Sequence, residues 1–138
     1  KTAGSTTADA RVALLTPPGR GALAVVGIAG RDACRLADGC FRPRGPRSLA
    51  GRANDSICFG RWLGEPGSSG EDLVVVKHSA DRLEINCHGG HAAAEAVIGS
   101  LERLGAMRQA WPQWLASTGE DPIQIEAYEA MSCVAGLR

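Results

Sequence analysis

Two apolar runs open the readable part of the chain, ARVALLT at 10–16 and ALAVVGIAG at 22–30, with PPGRG between them. Pro and Gly in that density force a turn. The Val and Ile content of the second run predicts a strand, with Gly27 breaking its interior. ACRLAD at 33–38 follows, with its apolar positions 33, 36 and 37 on one helical face; Asp32 is the expected N-cap and Gly39 the stop. The stretch 41–55, with four Arg, two Pro and two Gly, is expected to be irregular and exposed.

Strand patterns return at SICFGRWLG (56–64), LVVVKH (73–78) and DRLEINCH (81–88), the last two joined by only Ser79 and Ala80, as in a hairpin. GGHAAAEAVIGSLERLGA (89–106) has a helical period: Ala94, Val97, Ile98, Leu101 and Leu104 share a stripe, and Gly105 ends it. Residues 110–121 are expected to be a linker with a helical turn. PIQIEAYEAMSCVAGL (122–137) reads as a further helix opened by a proline. The order is ββα, then βββα, then an extra helix. It predicts an α+β fold, a two-layer sandwich with a mixed sheet and two packing helices.

Composition narrows the function classes. Fifteen basic residues balance fifteen acidic ones over 138 residues, so no charge excess calls for a nucleic-acid or membrane partner. No apolar run approaches the length of a membrane span. Five cysteines, at 34, 40, 58, 87 and 133, form no CxxC pair and suit a reduced, cytoplasmic setting. The first residue is not Met, and the last lies within a helical pattern, so a fragment is the expectation.

INCHGG (85–90) offers the densest chemistry. In an extended chain Leu83, Ile85 and Cys87 point one way and Glu84, Asn86 and His88 the other. Cys87 and His88 on opposite faces cannot serve each other as nucleophile and base, and Cys87 reads as a small buried hydrophobe. A metal cluster of His78, Cys87, His88 and His91 lacks a second paired-ligand motif. Gly89 and Gly90 either open a helix start to an anion or merely permit a tight strand-to-helix turn. The Glu84, Asn86, His88 row would be solvated on an open sheet, or a recognition surface for a polar heterocycle if a second subunit covered it. No GxxxxGK[ST] motif is present.

LLTPPGRGALAVVGIAG, LEINCHGG before an Ala-rich helix, and the closing IEAYEA resemble the N-terminal part of the tRNA-modification GTPase family TrmE/MnmE, over about residues 11 to 137. The resemblance implies a domain at 1–110 similar to the folate-binding domain of aminomethyltransferases, and the start of a central helical domain at 111–138. It implies a homodimer and a tetrahydrofolate derivative (5-formyl- or 5,10-methylene-tetrahydrofolate) that supplies the one-carbon unit added to wobble uridine of certain tRNAs. Complete members act with the flavoprotein MnmG and carry a GTPase domain, which uses GTP, Mg and K and has no counterpart in this chain.

Carried over residue by residue, the family's folate carboxylate falls on Glu84. Its arginine falls on Gly27, and its lysine on Pro122. Arg20, in PPGRG, is the cation that could compensate. Three readings follow: a folate-binding dimerisation domain; a diverged module that keeps the fold and dimer without folate; and an independent enzyme built on Cys87 or a metal. This fragment alone is not expected to be catalytic.

Overall fold

Alternating burial of side chains organises the chain into one sheet with a buried inner face. The computed structural model describes residues 8–16, 23–64, 70–88 and 90–118. Its elements are β1 (Arg11–Leu14), β2 (Ala24–Ala29), α1 (Ala33–Asp38), β3 (Phe41–Pro43), β4 (Ser56–Trp62), β5 (Glu71–Ser79), β6 (Arg82–Cys87), α2 (Gly90–Arg103), β7 (Met107–Arg108) and α3 (Trp111–Ser117). The seven strands lie in the order β3-β4-β5-β6-β2-β1-β7. Every pairing is antiparallel except β1 with β7, so the sheet is mixed. The fold is α+β, as the order of patterns predicts.

Val12, Val26, Ile28, Cys58, Leu73, Val75, Leu83, Ile85 and Cys87 form the inner face and are buried in one cluster with α1 and α2. α2 contributes Ala94, Val97, Ile98 and Leu101, the stripe expected from its spacing; Leu104 lies past the helix end and is exposed. This helix crosses β6, β2 and β1 to deliver the chain to β7 at the sheet edge. On the opposite, outer face, α3 covers β1 and β2. Trp114 and Leu115 pack there with Ala13, Ala29 and Leu15.

Several local expectations are corrected. Residues 41–55 are not wholly irregular: Phe41 is buried and starts an edge strand, and Leu49 is fully buried. Asp32 precedes α1 but makes no side-chain cap; its Oδ2 instead accepts the Asp9 N–H at 2.8 Å, tying the two chain segments together. Gly39 ends the helix in the right-handed region, not the left-handed one. β7 has only two residues and no alternation to betray it; Met107 N–H donates to Ala10 O and Gln109 N–H to Val12 O. The expected linker holds α3, whose Trp114 is fully buried. The helix expected at 122–137 lies outside the described residues.

Buried polar groups hold the irregular part in place. Lys77 occupies an inner-face position and is 3% exposed. Its ammonium donates to Leu49 O (2.9 Å), Ala50 O (3.3 Å) and Arg52 O (2.7 Å). Asp38 accepts the N–H groups of Leu49 (2.7 Å) and Ala50 (3.1 Å). The same dipeptide is thus clamped from both ends of its peptide groups, which satisfies buried polar atoms that would otherwise be costly.

Candidate functional site

β6 decides where the candidate carboxylate points. Leu83, Ile85 and Cys87 are buried in the core, so strand alternation turns Glu84 and Asn86 to the outer face. His88, just past the strand, is exposed. Burial raises the Cys87 thiol to about 12, with the Glu71 charge a smaller cause. A neutral thiol in the core and an exposed imidazole beyond the strand end cannot form a catalytic dyad. Among the described residues no three His, Cys, Asp or Glu gather as a metal site.

Two cross-strand rows run over the outer face. One is Ile57–Val76–Glu84–Gly27–Ala13, read across β4, β5, β6, β2 and β1. The next is Phe59–Val74–Asn86–Val25. At the β4 end the rows are open to solvent, with Ile57 60% and Phe59 55% exposed. At the β1 end they disappear under α3. Glu84 sits between, its side chain 29% exposed.

The partner of Glu84 is His78 of β5, whose Nε2 lies 3.3 Å from Glu84 Oε1. The geometry falls short of a hydrogen bond, so this contact is an ion pair only when the imidazole is protonated. Gly27, the position expected to hold an arginine, stands opposite Glu84 in the register. A Cβ built there would meet Trp114 Cζ2 at 2.6 Å, Leu15 Cδ1 at 2.8 Å and Trp114 Cη2 at 3.0 Å. The indole therefore lies on the glycine backbone and fills the space an arginine stem would need. Of the contacts expected for a folate, the carboxylate at 84 is present and partly exposed, whereas the space at 27 is closed to an arginine. Arg20 and Pro122 lie outside the described residues.

Gly90 opens α2 with φ +70. That left-handed backbone accounts for glycine in the strand-to-helix turn without invoking a ligand. Gly89 lies outside the described residues. A cleft of about 400 Å³ lies elsewhere, lined by Leu14, Thr16, Glu95, Ile98, Arg108, Gln109 and Ala110. Its charged groups are mutually paired: Arg108 donates to both oxygens of Glu95 (3.3 and 3.0 Å) and to Glu102 (3.1 Å). Sequence reasoning missed His78 and Trp114 as neighbours of the site. The hairpin register carried a signal for His78, since alternation puts it on the outer face. Trp114 carried none.

The profile of the family described as "GTP-binding protein TrmE N-terminus" matches residues 11–120. A tRNA modification GTPase MnmE of Symbiobacterium thermophilum is 35% identical over 102 residues, covering 68% of this chain and 22% of the relative. The protein of the same description from Listeria innocua is 33% identical over 105 residues (71% and 22%), and that from Bacillus subtilis 29% over 106 (71% and 23%). The chain thus spans less than a quarter of the length of these curated relatives. With the profile running from β1 through α3, the chain belongs to the TrmE N-terminus family.

Proposed function

We propose that this chain is the N-terminal dimerisation module of an MnmE-like tRNA-modification GTPase, and that Glu84 is the retained part of a tetrahydrofolate site. The observation that carries the reading is the place of Glu84: an outer-face carboxylate, partly exposed, in register with position 27. A carboxylate there can accept two parallel N–H bonds from the edge of a pterin-like heterocycle. The exposed Ile57 and Phe59 on the same face support a subunit contact beside it, because a paired apolar strip of this kind marks interaction surfaces. In the whole protein the module would act in the cytoplasm, with an MnmG-like flavoprotein and tRNA, while GTP is hydrolysed by a separate domain.

The test is calorimetric titration of 5-formyltetrahydrofolate, with Glu84→Gln as control, alongside sedimentation. Saturable binding lost in Glu84→Gln, in a dimer at micromolar concentration, supports the proposal. Binding unaffected by Glu84→Gln, or a monomer throughout, refutes the corresponding half. A second reading, a dimerisation module without folate, is favoured by Trp114 seated on Gly27; it expects a dimer and no heat of binding.

A further inference from the structure

The contact between Trp114 and Gly27 has more to it than the loss of a cation. We infer that α3 is a plug in the outer-face site and that Trp114 is the residue that controls access to Glu84. This rests on the tetrahydrofolate reading of Glu84 and extends it.

Three observations converge. First, the indole lies directly on Gly27, and cross-strand partners have Cβ positions about 4.5–5.5 Å apart. A ring over residue 27 therefore occupies the volume beside Glu84, toward which a planar ligand held by that carboxylate would extend. Second, the Trp114 Nε1–H is buried and has no hydrogen-bond partner among the described residues. An unsatisfied buried donor carries its desolvation penalty for as long as the helix stays docked. Trp62 shows the alternative in the same chain: its Nε1 is buried and donates to Ser100 Oγ at 2.9 Å.

Third, α3 is short and its start is thinly capped. It is a seven-residue helix whose N-cap, Ala110, has no side-chain acceptor; Gln113 Oε1 accepts the Ala110 N–H at 3.2 Å, while at the other end Thr118 Oγ1 donates to Trp114 O at 2.8 Å. Its apolar cluster of Ala13, Ala29, Trp114 and Leu115 is separate from the main core. Short helices held by few tertiary contacts open more readily than the core does. Glycine at 27 is the complement of the indole: a Cβ there would force the Trp114 ring and the Leu15 side chain to shift. Ligand and indole thus compete for one space, and binding at Glu84 proceeds with α3 displaced.

The experiment has two independent readouts on the full chain. Hydrogen exchange without ligand compares amides of 111–118 with those of β2 and β6. Opening of 111–118 well before the strands supports the plug; exchange of both only in global unfolding overturns it. Titration of 5-formyltetrahydrofolate then compares the unaltered chain with Trp114→Phe, which has a shorter ring and no N–H, and Gly27→Ala, which pushes the indole away. Both are first checked for cooperative melting. At least tenfold tighter binding by either folded variant, lost on adding Glu84→Gln, is expected; where the unaltered chain binds measurably, equal or weaker binding in both variants overturns the inference. If 111–118 opens locally yet no protein binds the folate, the plug stands and the ligand assignment at Glu84 falls.

Discussion

Replacing Lys77 by Met removes an ammonium and keeps the length of its stem. The loss can be worked from three contacts. The bond to Leu49 O is buried, and a charge-assisted bond of that kind contributes about 1.5–3 kcal/mol. Those to Ala50 O and Arg52 O are partly buried; water regains part of each, leaving about 0.5–1 kcal/mol apiece. Relief from desolvating the ammonium offsets some of this. The expected net destabilisation is about 2–4 kcal/mol, or roughly 10 °C in Tm for a domain of this size.

Urea unfolding followed by far-UV circular dichroism measures it, read as a lower midpoint at unchanged m-value. Lys77→Arg should not restore stability, because a planar fork cannot address three carbonyls as a compact ammonium does. A loss below about 0.5 kcal/mol in Lys77→Met would refute the reasoning, since the carbonyls of 49–52 would then be shown to need no internal donor.

Ser100→Ala should destabilise by about 1–3 kcal/mol, because it strands the buried Trp62 Nε1–H; a denaturant melt reads this, and Trp62→Phe in the same background should recover part of it. The Cys87 thiol, raised to about 12 by burial, should resist iodoacetamide at pH 8 in the folded chain and react at once in urea. Because its folded value lies above the ordinary thiol value of 9.0, its contribution is fully present below pH 9 and is lost as pH rises from there toward 12; Cys87→Ala should flatten that part of the stability–pH curve. Asp32 is held below its ordinary value first by the Asp9 backbone N–H and then by Arg35. Its contribution is therefore present above pH 3.8 and falls away as pH drops through the lower folded value, so Asp32→Asn should lessen the acid-side loss in a pH series of melts.

How much of this was legible in advance depended on the range of each interaction. α1 and the heart of α2 could be placed because their apolar spacing is a local property. The β5–β6 hairpin followed from a two-residue connection between alternating runs. β3 was missed because Phe41 stands among Arg, Pro and Gly, and only its pairing with Trp62 makes it a strand. β7 was missed for the same reason: two exposed residues become a strand through their bonds to β1. For the candidate site, the outward direction of Glu84 was readable from Leu83, Ile85 and Cys87. The space at Gly27 was not, because the glycine does not announce what covers it.

Sequence alone settled which side chains share a face along β6 and α2, since that depends on dihedral periods of two and 3.6 residues and on nothing distant. It could not say what Glu84 meets. Sheet order brings β2 beside β6, hairpin register brings in His78, and α3 lays Trp114 over Gly27. Each of those neighbours is chosen by hydrogen-bond registration and packing between segments far apart in the chain. Periodicity assigns a side to each residue; only the assembled sheet assigns it company.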